Sequence, residues 1–300
     1  MRLLLIGCTG LVGRGLVPLL RQQGHALVLV SRRAGQGDIE ANPASAEAWR
    51  AGTPLANALA AADAVINLAG EPIAERRWSP AQCQLLRDSR INTTSLVVAA
   101  INACPSPPQL LIQGSAVGYY GNSATASFTE ASPAAADFLG QLCQQWEAAT
   151  QGLTPACRLV ILRTGIVLAA DGGALGKMLP IFRLGFGGPV GSGEQWMSWI
   201  HRHDYCSLVA SALADPAWRG IYNATAPEPA TMANFCQSLG RALARPSLLP
   251  VPAALLQLLL GDGASVVLEG QRVLPERLQQ QGFNFQYPQL AGALADCVKA

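Results

Sequence analysis

The sequence predicts an α/β protein: a doubly wound parallel sheet with a smaller, discontinuous C-terminal substrate lobe. Three observations carry this. Short, near-continuous runs of Leu, Ile and Val alternate with helical stretches over the first 165 residues. A glycine triplet separates the first apolar run from the first helix. Beyond residue 165 the chain turns glycine-rich, then predominantly helical. Strands that are apolar on both sides must be covered on both faces, and right-handed crossovers between parallel strands provide that cover.

Taken in order, residues 3–6 read as a strand, 11–23 as a helix and 25–30 as a second strand. Residues 64–68 (Ala-Val-Ile-Asn-Leu) form a further strand, followed by a long helix over 79–102. Strands at 110–113 and 158–163 flank a helix over 138–150. Few periodic segments stand out in 165–200, although a helix is expected over 204–214. Residues 221–226 read as one more strand, and 232–245 as a helix capped by Thr231. Helices dominate from about 247, with breaks at Gly261–Gly263 and Gly282. The expected division is a nucleotide-binding domain over 1–165, to which 217–227 returns as a last strand. Residues 166–216 and 228–300 then form the substrate lobe and a C-terminal helical domain.

Composition narrows the function classes. Half of the 300 residues are hydrophobic and 13% are charged, which argues against disorder or a coiled coil. With 21 Lys and Arg against 19 Asp and Glu the net charge is +2, so nothing selects a nucleic acid. The eight cysteines form no Cys-x-x-Cys pair and read as buried thiols of a reducing compartment. His201, His203 and Asp204 lack the usual helical spacing of metal ligands, so capping is expected of them and no metal. The longest apolar run, 248–261, is interrupted by Pro250, Pro252 and Gln257, short of a membrane span. The apolar start ends at Gly7, too early for a signal peptide. A cytoplasmic protein with no membrane partner is the expectation.

The strongest single signal is Gly7-Cys8-Thr9-Gly10-Leu11-Val12-Gly13, which leaves the first strand and opens the first helix. Gly7 permits the tight turn, Gly10 lets backbone approach a pyrophosphate, and Gly13 lets helix and strand pack closely. The helix start supplies free N–H groups and a partial positive charge. A site for NAD places an acid at the end of the second strand, but here the chain reads Ser31-Arg32-Arg33. A guanidinium there grips a 2′-phosphate, so NADP(H) is the expected cofactor.

The glycine triplet, Asn67-Leu68-Ala69-Gly70 and Ser115-Ala116-Val117-Gly118-Tyr119-Tyr120-Gly121 together resemble the extended short-chain dehydrogenases/reductases, which include nucleotide-sugar epimerases and dehydratases. Longer blocks sharpen the likeness: Asn67 to Ile73, Gly191 to His201, and Glu269 to Pro275 with Gly282-Phe283. These look like the atypical, YfcH-like "epimerase family" branch with a C-terminal domain of unknown function. The resemblance covers essentially the whole chain. It implies an NADP-binding Rossmann fold, cofactor contacts from Leu68, Ala69, Gly70 and Glu71, and a homodimer through the helices at 79–102 and 138–150. Asn92, on the first of these helices, is a further candidate for the cofactor site.

The catalytic pattern departs from these relatives. Extended members carry Tyr-x-x-x-Lys followed four residues later by an acid. Counting back from Glu147 puts Cys143 at the Lys position and Leu139 at the Tyr position. Ala116 stands where the partner Ser or Thr belongs. The replacement candidates are Tyr119, Tyr120 and Ser115, with Glu71 and Arg163 as further polar groups at strand ends. Residues 185–193, with Trp196 and Trp199, read as a glycine-rich lid. Two functions follow: an NADP(H)-dependent oxidoreductase or epimerase-like enzyme for a small polar substrate, or a catalytically silent NADPH sensor.

Overall fold

The computed structural model describes residues 1–299. Its first half runs β1 (Arg2–Ile6), α1 (Leu11–Gln22), β2 (Ala26–Ser31), β3 (Ile39–Glu40), α2 (Pro54–Ala60), β4 (Ala64–Asn67), α3 (Pro80–Ala103), β5 (Leu110–Ala116), β6 (Ser127–Phe128), α4 (Phe138–Ala148) and β7 (Arg158–Thr164). There follow β8 (Ile166–Leu168), α5 (Gly173–Arg183), β9 (Trp196–Met197), β10 (Trp199–His201), α6 (Arg202–Ala214), β11 (Gly220–Ala224), β12 (Ala230–Thr231) and α7 (Met232–Leu243). The C-terminal part holds α8 (Ala253–Leu260), α9 (Ser265–Leu268), β13 (Arg272–Val273), α10 (Glu276–Gln280) and α11 (Leu290–Lys299).

Seven parallel strands form the central sheet in the order β11-β7-β5-β4-β1-β2-β3. Alternate residues of each strand serve opposite faces. Leu3, Leu5, Ala64, Ile66, Leu110 and Ile112 pack with α1 and α6, while Leu4, Ile6, Val65 and Leu111 pack with α2 and α3. A separate core joins α5, α7 and α11 around Trp199 and Phe235. β11 pairs with β7, so the chain returns to the sheet after leaving it at residue 165.

Three differences from the sequence reading have physical causes. β5 runs to Ala116 rather than 113, because Gln113, Gly114 and Ser115 all pair with β7 although they break the apolar run. Helix α5 lies inside the glycine-rich stretch; it buries Leu175, Leu179 and Phe182 at helical spacing despite Gly176 and Pro180. The short β3 and α2 fill the gap between 31 and 64, where the sequence offers too little periodicity to place them.

Candidate nucleotide-binding and active site

The turn after β1 is built for close approach. Gly7 has φ +89°, and a Cβ there would lie 2.7 Å from the Leu68 carbonyl carbon. A Cβ on Gly13 would lie 2.2 Å from the Cys8 carbonyl oxygen. A Cβ on Gly10, by contrast, would meet only the Gly7 carbonyl oxygen of its own turn, at 3.4 Å, so the outer side of this residue is open. Helix α1 begins at Gly10 with no side-chain cap and no acid in its first turn. Side chains do cap α2, α3, α4 and α7, through Thr53, Ser79, Asp137 and Thr231. The first-turn amides of α1, from Leu11, Val12 and Gly13, therefore face an open cradle beside exposed Thr9, and that fits a pyrophosphate. Arg14 does not point into it: its Nη1 donates to the Thr9 carbonyl and its Nε pairs with Asp171, which also takes Arg202 at 2.6 Å. These bonds fasten the loop before α5 beside the turn.

At the end of β2, Ser31 is buried and its Oγ accepts the Arg33 N–H at 3.0 Å. Arg32 and Arg33 are exposed. The Arg32 guanidinium lies 3.6 Å from a carboxylate oxygen of Glu71, so two residues singled out separately in the sequence meet. Beyond β4, Asn67 is fully buried; its Nδ2 donates to Gln113 and its Oδ1 accepts the Ala69 N–H. That shapes the Leu68-Ala69-Gly70 exit alongside Gly7. Asn92, on α3, is exposed. It lies on the outward side of α3 because Thr93, Thr94 and Val97 occupy the inward side.

A cation that sequence reasoning missed stands at the exit. Arg90 donates to the carbonyls of Glu71 and Leu86, stacks 5.2 Å from the Trp146 ring and lies under Gly70. Burial lowers its pKa, opposed by the neighbouring Cys143 and Glu71. The signal was present: Arg90 falls on the apolar stripe of α3 with Leu86, Thr93 and Val97, where a charge requires a purpose.

On the other side of the exit, Ser115 lies within β5, buried, and donates to Glu147 Oε1 at 2.7 Å. Arg163, only 2% exposed, grips both Glu147 oxygens at 2.8 Å from Nε and Nη2. Its Nη1 donates to the Tyr120 hydroxyl at 2.8 Å, and that hydroxyl donates onward to Asn223 Oδ1 at 2.6 Å. Burial would lower the Arg163 pKa, but its hydrogen bonds to Glu147 and that carboxylate's charge hold it well above the usual range. Burial pushes the Tyr120 phenol up to about 12 against the pull of Arg163. Tyr119 is only half-buried and its ring stacks 3.4 Å from the Arg163 guanidinium carbon. Leu139 and Cys143 lie against the turn after β5: a Cβ on Gly118 would lie 3.3 Å from Leu139 Cβ and 3.9 Å from Cys143 Sγ. Burial, with Glu147 adding to it, pushes the Cys143 thiol up to about 12.

The second lobe approaches the same edge. Trp199 is fully buried and Trp196 donates its indole N–H to the Ala124 carbonyl, so both indoles fasten the glycine-rich segment. A cleft of about 620 Å³ opens among Arg77, Gln257, Asp262, Ser265 and Glu269. His201 caps α6, its Nδ1 accepting the His203 N–H at 3.2 Å.

A doubly wound parallel sheet with an uncapped glycine turn at its first crossover defines a Rossmann-type protein of the short-chain dehydrogenase/reductase kind. The model of the NAD dependent epimerase/dehydratase family matches residues 3–224, and a domain of unknown function (DUF1731) matches 251–297. The chain belongs to the NAD dependent epimerase/dehydratase family. It is 40% identical to human epimerase family protein SDR39U1, over 99% of this chain and 100% of that one. Its identity to the Arabidopsis thaliana protein named epimerase family protein SDR39U1 homolog, chloroplastic, is 42%, over 96% of this chain and 84% of that one. The crystal structure of human SDR39U1 (isoform2) with NADPH has a TM-score of 0.92 at 39% identity, covering 100% of this chain and 99% of that one.

Proposed function

We propose that this protein binds NADP(H) across the carboxyl ends of β1, β2 and β4 and acts on a small polar substrate held between its two lobes. The observation that carries this reading is the uncapped start of α1 beside an open Gly10, with Ser31, Arg32 and Arg33 at the neighbouring strand end. The NADPH found with the human relative supports it. Gly7, Gly10 and Gly13 keep the turn close, and the amides of Leu11, Val12 and Gly13 with Thr9 hold the pyrophosphate. Ser31, Arg32 and Arg33 receive the 2′-phosphate. The Arg32–Glu71 pair is solvent-exposed on the arginine side and such pairs contribute little, so a phosphate displaces it readily. Leu68, Ala69 and Gly70 line the ribose side.

Bound there, NADP(H) would supply hydride-transfer chemistry. The reacting oxygen of the substrate is polarised by the Tyr119 hydroxyl. Tyr120 and Ser115, both committed to the Arg163–Glu147 pair, position that ring. Arg90 supplies, beside Cys143, the fixed positive charge that relatives place on a lysine. Titration calorimetry with NADPH and NADH tests the cofactor half. NADPH binds more tightly, and Arg32→Ala weakens it by about 10- to 100-fold with little change for NADH. Uptake of neither nucleotide overturns the reading. The vacant positions at Leu139 and Cys143 favour the second reading, a silent NADPH sensor. Stereospecific hydride exchange into a substrate panel, lost in Tyr119→Phe, separates the two.

A further inference from the structure

The apolar run at 248–261, too broken to cross a membrane, leaves four of its leucines exposed. Leu248 is 80% exposed and Leu258 72%, with Leu249 and Leu255 about half exposed. They do not stand alone. Leu184 (73% exposed), Phe186 (62%) and Ile181 lie at the end of α5 and in the loop that follows. The two segments run side by side: the Leu249 N–H donates to the Gly187 carbonyl, the Val251 N–H to Pro189, and the Gly191 N–H to Val251. Gly185 packs against Pro246. Among the described residues, Met1 and Leu85 are the only large apolar side chains exposed elsewhere. Seven of the nine large apolar side chains exposed among the described residues thus lie in these two adjoining segments, and such a patch marks a surface of interaction.

Within the two segments that form this face the charge is of one sign. Between Asp171 and Glu194 the chain has no acidic residue, nor between Glu228 and Asp262. The same two stretches carry Lys177, Arg183, Arg241 and Arg245, all exposed and none in an ion pair among the described residues. We propose that this face docks on an anionic lipid surface, with Leu184, Phe186, Leu248 and Leu258 entering the headgroup region and the cations meeting lipid phosphates. Leucine and phenylalanine rimmed by arginine and lysine are what an interfacial site requires, where apolar burial and attraction to anionic headgroups add. A second copy of this chain fits less well, since a self-complementary contact would bring like-charged rims together.

The test is sedimentation of the full chain with vesicles of phosphatidylcholine alone, or containing about 30% phosphatidylglycerol. The double variants Phe186→Glu/Leu248→Glu and Arg183→Glu/Arg245→Glu alter exposed positions only, and unchanged thermal unfolding confirms their folding. The expected result is binding to phosphatidylglycerol vesicles that drops at least about tenfold in each variant and falls as salt is raised. Absence of binding, equal binding to phosphatidylcholine alone, or binding unaltered in the variants overturns the proposal. So does a concentration-dependent dimer, seen without vesicles, that the same substitutions dissociate, since the face then belongs to a second copy.

Discussion

At Arg163 the molecule holds a full positive charge almost wholly out of water, and Glu147 makes that tolerable by matching both ends of the guanidinium fork. Removing one partner of such a pair strands the other. Glu147→Gln should therefore cost about 3–5 kcal/mol and lower the melting temperature by roughly 5–15 °C, measured by thermal unfolding. Glu71→Gln, whose carboxylate pairs with the exposed Arg32, should leave it within about 2 °C. A drop for Glu147→Gln no larger than for Glu71→Gln would remove the structural role given to the pair. At this scale the sequence was partly legible. Glu147 could be found by counting along the family pattern, and Arg163 by its place at a strand end. Their meeting with Ser115 and Tyr120 could not, because it depends on β5 and β7 staying in register through polar residues that resemble a strand exit. Arg90 escaped notice because a cation inside a long helix, here beside Arg87 and Asp88, resembles a solvated one.

Among the elements, α1 couples stability to binding most directly, since one glycine, Gly13, lets it lie on β1 and keeps its start in place. Gly13→Ala puts a methyl 2.2 Å from backbone at Cys8, which no side-chain movement relieves. The expected outcome is a fall in melting temperature together with a loss of NADPH uptake of at least about tenfold, read by calorimetry. Gly292→Ala in α11, where nothing lies within 4 Å, should be neutral or slightly stabilising and leaves uptake intact. The strands of the central sheet other than β3 were easily read because burial on both faces demands unbroken apolar runs. α5 was hidden because glycines and Pro180 suggest a loop, and only its tertiary partners in the second core outweigh that local tendency.

Across the whole molecule, the C-terminal segment is clasped to the sheet domain by a small set of polar bonds. The buried carboxylate of Asp204 accepts the N–H groups of Gln286 and Tyr287, at 2.8 and 3.0 Å. His201 stacks on Tyr287 with ring centres 4.0 Å apart, and its Nε2 lies 3.3 Å from Asp296 on α11. Burial lowers the His201 pKa, although Asp296 and Asp204 pull the other way. The folded state thus binds its proton less readily than the unfolded chain. Stability is complete above the unfolded value of about 6.5 and is lost as pH falls below it, until the folded-state value is passed. Thermal unfolding from pH 8 to pH 5 should show this decline, and His201→Gln should flatten it. An undiminished slope in that variant would assign the dependence to other groups.

The seven-stranded sheet takes its last member, β11, from residues 220–224, after an excursion of some fifty residues through the other lobe. During synthesis on the ribosome, β7 must therefore wait with one side of its backbone unsatisfied while that excursion is made. Any truncation near residue 165 would leave the same ladder bare and ready to recruit strands from neighbouring chains. The first 165 residues are in this sense a nucleotide site without a finished wall, and the gene cannot be cut there to obtain a soluble half.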